Sequence, residues 1–320
     1  MYLLELAGDD DAFARREAAS RGSGVEALAP GLATARGVRR PETLAYTRRV
    51  CRLVGTCEST VEDAVALLSA ASIDHPPADT VAVRARDVRG VSGVDTQAAE
   101  RRLGSVLVDR GFAVDLDDPD HTLVALFSET AALGWLETET ARGFGARRPT
   151  DRPFFQPGSM APMDARALAN VAGAGPGARI LDPMCGTGGI LVEAGLVGAS
   201  VVGVDAQAKM AAGARRNLAH YLDGGFEVCR GDATRLPFEA DAFDGVVVDA
   251  PYGRQSKVES DSLVALVEGA LTEARRVAPR AVLVGDRPWN GASEAAGWTV
   301  TARFDRRVHG SLTRFVHVLE

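Results

Sequence analysis

The stretch Asp182 to Glu193, DPMCGTGGILVE, is a strand end that runs into a glycine-rich turn and then into an amphipathic helix. Glycines at 186, 188 and 189 let the backbone come close to a ligand, and the amino end of the helix can receive a polar or anionic group. The turn is not a dinucleotide fingerprint. Leu191 stands where the third glycine of GxGxxG would fall, and Asp182 would repel a pyrophosphate. On either side, strand and helix signals alternate. A helix opens at Asp164, and strands are expected over Arg179 to Asp182, Ser200 to Asp205, Phe226 to Arg230, Phe243 to Asp249 and Arg280 to Asp286. Helices fall between them over Thr187 to Gly195, Lys209 to Leu222 and Leu263 to Val277, and Trp298 to Phe304 with Leu312 to Leu319 forms a last strand pair. Such alternation predicts a doubly wound α/β sheet of mostly parallel strands, with its ligands at the carboxyl ends of the strands.

Three of those strand ends are acidic. Asp205 closes the strand after the glycine turn, 19 residues beyond Gly186, where it can accept two hydrogen bonds from ribose hydroxyls. Gly231 and Asp232 follow the next strand and can close over an adenine, with Asp232 accepting from its amino group. Acids set around a glycine turn suit a nucleoside with a cationic or zwitterionic tail, and S-adenosylmethionine satisfies that description with its tail near Asp182. The expected cofactor-binding set is Asp182, Pro183, Met184, Cys185, Gly186, Thr187 and Gly188 in the turn, with Asp205, Ala206, Gly231, Asp232 and Ala233 beyond the next two strands.

The fourth strand end is the chemically pointed one. A valine run from Gly245 to Val248 empties into DAPY, Asp249 to Tyr252, with Gly253 and Arg254 behind it. It offers a carboxylate, a backbone carbonyl at Ala250 held outward by Pro251, and a flat ring, which are the parts needed to grip a planar amino group. Asp249, Ala250, Pro251 and Tyr252 are therefore the catalytic candidates. The plain alternative is that Asp249 and Pro251 only end a strand.

The first half carries no catalytic set. Residues 1–52 look like a small α+β unit with strands near Met1 to Leu6 and Val25 to Ala35 and helices after Asp10 and from Pro41 to Val50. Residues 53–149 form a second unit. Its helix over Glu62 to Leu68 is followed by the half-buried strand TVAVRAR at 80–86 and by a helix, capped by Asp95, that carries Ala99, Leu103 and Leu107 on one face. Arg84 and Arg86 on the strand and Arg101 and Arg102 on the helix are expected to face outward together. Gly143 to Gly158, rich in glycine, proline and arginine, marks the boundary, and residues 150–163 read as a linker whose Phe154, Phe155 and turn Pro157 to Met160 pack on the second half, residues 164–320.

Composition sets the limits. With 46% hydrophobic residues and no apolar run near the roughly 20 residues of a membrane helix, the sequence reads as soluble, cytoplasmic and without a signal peptide. Cys51, Cys57, Cys185 and Cys229 lack metal-ligand spacing, so no metal is expected. Net charge is −7, yet 34 of 36 basic residues are arginine, clustered at Arg36 to Arg52 and Arg84 to Arg89. A nucleic-acid footprint is local, so the acidic total does not exclude RNA.

DPMCGTGGILVEAG, DAPYGR and the upstream RPFFQPGSM (Arg152 to Met160) together resemble the archaeal tRNA guanine-10 N2-methyltransferases. TVAVRAR, ERRLGSVLVDRG and VDLDDPD are similar to the pattern of the THUMP RNA-binding domain, and HGSLTR (His309 to Arg314) also matches the family style. The resemblance implies a class I (Rossmann-like) S-adenosylmethionine methyltransferase domain behind a ferredoxin-like and THUMP region. It implies methylation, once or twice, of the exocyclic amine of a guanine in tRNA, with Arg84, Arg86, Arg101, Arg102, Arg147 and Arg148 as RNA contacts. Partners would be tRNA and, where one is needed, a small activating methyltransferase subunit. Amino-group methylation of DNA adenine or protein glutamine uses related loops, and a non-catalytic tRNA-binding relic is the alternative of another class. The family pattern has proline where this chain has Ala250.

Overall fold

The computed structural model describes residues 1–252, 260–309 and 312–320; Gly253, Arg254 and the Gly310–Ser311 part of HGSLTR lie outside the described residues. In chain order the elements of the first half are Tyr2–Leu6 (β1), Asp11–Ala19 (α1), Gly22–Ser23 (β2), Glu26–Ala29 (β3), Leu32–Ala35 (β4), Gly37–Val38 (β5), Thr47–Glu58 (β6), Val61–Ala70 (α2), Thr80–Asp87 (β7), Thr96–Asp109 (α3), Ala113–Val114 (β8), His121–Phe127 (β9) and Thr130–Glu139 (β10). The second half holds Pro162–Val171 (α4), Arg179–Asp182 (β11), Gly189–Leu196 (α5), Ser200–Asp205 (β12), Ala208–Tyr221 (α6), Phe226–Arg230 (β13), Gly245–Asp249 (β14), Ser260–Val277 (α7), Ala281–Gly285 (β15), Asn290–Ala295 (α8), Val300–His309 (β16) and Leu312–Leu319 (β17).

The chain divides into two units, Met1–Ala141 and Arg142–Glu320. The expected boundary at 52/53 falls inside β6, whose twelve residues pair with β1 on one side and β10 on the other. Residues 1–141 accordingly share one eight-stranded sheet, ordered β3-β4-β1-β6-β10-β9-β7-β8. The helix expected from Pro41 to Val50 is a single 3-10 turn, Pro41–Thr43, followed by that strand. Its apparent helical spacing at Leu44, Ala45 and Val50 was outweighed by Thr47, Val50 and Val54, β-branched residues suited to a pleated central strand.

The arginine expectation for this unit needs correcting. Val81 and Val83 of β7 pack with Ala99, Leu103 and Leu107 of α3 in one core. Side chains alternate along a strand, so Arg84 and Arg86, in register with Val124 and Leu126, lie on the opposite face of the sheet. Arg101 and Arg102 are exposed on α3. The two pairs are therefore separated by the sheet instead of sharing a surface. Arg86 binds buried Glu5 at 3.1 Å, Arg84 donates to the Leu116 carbonyl at 2.6 Å, and Arg102 pairs with Glu62.

The second unit is the expected Rossmann-like doubly wound sheet, ordered β13-β12-β11-β14-β15-β17-β16, parallel except for β17 against its neighbours β15 and β16. Leu181, Val202, Val246, Val248 and Leu283 on one face are buried against Leu263, Val267 and Leu271 of α7. Each such side chain contributes about 1.5–3 kcal/mol on burial. Short α8, not expected from the sequence, lies between β15 and β16. The strand order reverses between β11 and β14, which is where an α/β sheet opens a crevice.

The segment before α4 packs on this unit. Asn217 of α6 clamps Phe154 from both sides, accepting from its N–H and donating to its carbonyl, each at 2.8 Å. Gly213 makes room for the ring, since a Cβ there would come within 2.0 Å of it. Phe155 is exposed. No helix among the described residues is long and apolar enough to cross a membrane.

Candidate active site

A cleft of about 780 Å³ opens over the carboxyl ends of β11, β12 and β14, within the range of small-molecule sites. Asp182 to Thr187, Asp205, Ala206, Asp232, Ala233 and Asp249 to Tyr252 all line it. Two expected cofactor residues do not. Gly188, at φ +76°, faces α6, where an added Cβ would sit 3.2 Å from that of Ala214. Gly231 packs on Val204, which a Cβ would approach to 2.9 Å. Both are glycine because neighbouring elements come close, not because a ligand does. Gly186, at φ +52°, is the opposite case, because a Cβ there would meet nothing nearer than 4.0 Å.

Three carboxyl groups set the electrostatics. Asp182, 2% exposed, accepts from the Met184 N–H at 3.1 Å. Burial pushes its carboxyl well above the ordinary range, and Asp249 and Asp205 push the same way. Asp205 is also raised by burial, against the hold of two backbone donors, Gln207 at 2.8 Å and Gly186 at 3.0 Å. Those bonds fix the carboxylate while each oxygen keeps a further lone pair. Asp232 differs from expectation in one respect. Its Oδ1 accepts from both the N–H and the hydroxyl of Thr234 at 2.8 Å, which lowers its pKa and leaves its other oxygen for a ligand.

At the end of β14, burial raises the Asp249 carboxyl, while Arg314 and the Tyr252 hydroxyl act to lower it. Tyr252 donates to Asp249 Oδ1 at 2.9 Å, and Arg314 Nε donates to the Tyr252 oxygen at 2.9 Å. The adjacent Ala250 is buried, and its N–H bonds the Val284 carbonyl of β15 at 2.9 Å. A proline in that position has no such donor. The loop is thus tethered by a ladder bond where the family pattern uses ring rigidity.

The sequence missed several lining residues. Gln156, Ser159 and Met160 come from the segment read as linker, and Gln207, Met210 and Leu266 from helices or their starts. Ser159 bonds the Thr187 hydroxyl at 3.1 Å, tying that segment to the glycine turn. Only the glycine-serine turn after Pro157 hinted at this. Arg147, expected on RNA, is instead committed to Glu193 at 2.7 Å, a fully buried acid also held by Arg166. Arg148 is exposed.

The RMKL-like methyltransferase domain family matches residues 149–314. The tRNA (guanine(10)-N2)-dimethyltransferase of Methanothermobacter thermautotrophicus is 35% identical over 313 residues, covering 93% of this chain and 89% of that protein. The chain belongs to this family. The Pyrococcus abyssi tRNA (guanine(10)-N2)-dimethyltransferase is 31% identical over 255 residues, 75% of this chain and 74% of its own length. Among solved structures, TrmN from Thermus thermophilus matches all of the chain and 99% of its own, with a TM-score of 0.51 and 26% identity. The second unit is thus a class I methyltransferase domain.

Proposed function

We propose that the chain methylates the exocyclic N2 amine of guanine 10 in tRNA, once or twice, using S-adenosylmethionine. The observation that carries this reading is the meeting of Asp249 and the Ala250 carbonyl with Asp182, Gly186 and Asp205 in one cleft. The cleft suits a cationic nucleoside. Burial, with Asp249 and Asp205 beside it, raises the pKa of Asp182, and a positive ligand there would relieve that repulsion. Asp205 would hold the ribose hydroxyls, and Asp232 and Ala233 the adenine edge. S-adenosylmethionine supplies there a methyl group activated by its bond to a sulfonium.

The chain's own residues make the amine reactive. A guanine amino nitrogen is a poor nucleophile because its lone pair is delocalised into the ring. Hydrogen bonds from its two N–H groups to the Asp249 carboxylate and the Ala250 carbonyl favour a pyramidal nitrogen with its lone pair exposed. The Tyr252 ring lines the same wall and offers a face to a base turned out of its stack. Positioning then supplies most of the rate, and the proton shed by the amine passes to the Asp249 carboxylate or through it to water.

The RNA would be gripped in part by the first unit, read as the ferredoxin-like and THUMP region. Arg101 and Arg102 on α3 are the better phosphate contacts there, because Arg102 is held only by the exposed Glu62, which a phosphate can replace, whereas Arg84 serves the Leu116 carbonyl and Arg86 the buried Glu5. The site test is direct. With methyl-labelled S-adenosylmethionine, a tRNA transcript should take up label, and the same transcript with adenine at position 10 should not. Equal labelling of both would refute the assigned position.

A further inference from the structure

HGSLTR enters the proposed function nowhere, yet its last residue lies beside the reaction centre. Arg314, on β17 and 5% exposed, reaches the site from 62 residues beyond Tyr252. Its Nε donates to the Tyr252 oxygen at 2.9 Å, and its guanidinium carbon lies 6.0 Å from the centroid of the tyrosine ring. Behind it, Arg314 Nη1 lies 3.9 Å from Asp164 Oδ2 at the start of α4, and Arg306 of β16 holds the other oxygen of Asp164 at 3.0 Å. Asp249, Tyr252, Arg314, Asp164 and Arg306 therefore form a chain of contacts running from the cleft through buried Arg314 to the half-buried Asp164 and Arg306.

The chain has a direction. An arginine has only donors, so the Tyr252 oxygen must accept from Arg314 and its single proton must point elsewhere. Asp249 Oδ1 is the acceptor at hand. We propose that Arg314 is a positioning residue for methyl transfer, fixing the Tyr252 hydroxyl as a donor to Asp249 Oδ1 and so leaving Oδ2 and the Ala250 carbonyl as the acceptors for the incoming amine. The same contact anchors the edge of the tyrosine ring, so that its face is set before substrate arrives. Arg314 touches neither substrate nor cofactor in this scheme and works through Tyr252.

Arg314 also governs the charge of Asp249. Among the described residues, the groups facing that carboxyl are Tyr252 in its own loop, Arg314 from β17 and Asp182 at the end of β11, with Asp164 of α4 and Arg306 of β16 behind Arg314. Burial favours the protonated form, and among the described residues the cation opposing it is Arg314. Removing it raises the pKa of Asp249, so the ionised acceptor is lost at a higher pH as pH falls.

This inference rests on the proposed methyl transfer, so its test has an arm that needs no substrate. In full-length protein with carbon-13-labelled aspartate carboxyls, the Asp249 signal, assigned by its loss in Asp249→Asn, should titrate at clearly higher pH in Arg314→Gln. In turnover with tRNA, Arg314→Gln should lower kcat about 10- to 100-fold, the loss of one charge-assisted hydrogen bond, with KM for tRNA within a few-fold. The acidic limb of its kcat profile should move to higher pH. Arg314→Lys, which keeps the charge without the planar fork, should restore the titration but not kcat. Calorimetric S-adenosylmethionine binding within about threefold of the parent certifies each variant's cofactor site. An unmoved Asp249 titration in Arg314→Gln overturns the positioning role whatever the substrate. Absence of methyl transfer by the parent protein, with the titration shifted, refutes only the functional reading.

Discussion

The two units treat charge in opposite ways. In Met1–Ala141 buried and half-buried acids are matched within the unit: Glu5 takes Arg49 and Arg86, and Asp11 takes Arg89. In the cleft of Arg142–Glu320, Asp182, Asp205 and Asp249 gather around one space, and among the described residues Arg314 is the cation that opposes the effect of burial at Asp249. Paired acids hold a sheet together at little net electrostatic cost. Buried and crowded ones, Asp182 above all, stand above their ordinary pKa and reserve their charge for a ligand.

Removing the catalytic acid presses that contrast hardest. Asp249→Ala should cut methyl transfer by at least about 10²-fold while calorimetry shows S-adenosylmethionine still bound; retained turnover would place Asp249 with the structural acids. Asp205→Ala should instead weaken cofactor binding by about 10- to 100-fold, the loss of charge-assisted bonds to two hydroxyls, a change that the same calorimetry reads.

The cleft's charge also has a pH signature. Asp182 and Asp205 stand above their ordinary pKa through burial. A bound cation favours their ionised forms, so binding releases protons, and affinity should climb as pH rises from about 4 toward 7 and fade as it drops. The apo unit should behave in reverse, since groups with raised carboxyl pKa values cost stability once they ionise. Melting curves with and without S-adenosylmethionine across that range would show a widening gap; a constant gap would mean that the carboxyls do not face the ligand's charge.

On the paired side, Arg101→Ala with Arg102→Ala should weaken tRNA binding and flatten its salt dependence by about two units of slope. Arg84→Ala with Arg86→Ala should affect stability more than RNA affinity, because those side chains serve the Leu116 carbonyl and Glu5. Filter binding at several salt concentrations separates the two. Smallest of all, Ala250→Pro should trade the Val284 bond for ring rigidity, costing about 1 kcal/mol in denaturant unfolding and leaving the rate within a few-fold.

Much of the second unit was legible because its signals are local. Strand, acid and glycine turn follow one another at Asp182 to Gly188, and strand, acid, proline and tyrosine at Asp249 to Tyr252, and each reads without knowledge of the rest. Contacts made by distant partners were not legible. Arg314 meets Tyr252 only because β17 inserts antiparallel beside β15. Arg147 looked available for RNA until Glu193 was found buried beneath it. Gly188 and Gly231 looked like ligand glycines, but the packing of α6 and β12 explains them. In the first unit, helical spacing at Leu44 to Val50 misled because sheet pairing on both sides of β6 decides that segment. The arginine pairs were misplaced for want of the alternation that puts Arg84 beneath the sheet and Arg101 above it.

The central claim is that the crowded acids serve a guanine amine. Unmodified tRNA incubated with the purified protein and S-adenosylmethionine, digested to nucleosides and resolved by mass spectrometry, should yield N2-methylguanosine or N2,N2-dimethylguanosine. A ring-nitrogen methylguanosine, a methyladenosine or an unmethylated digest would contradict it.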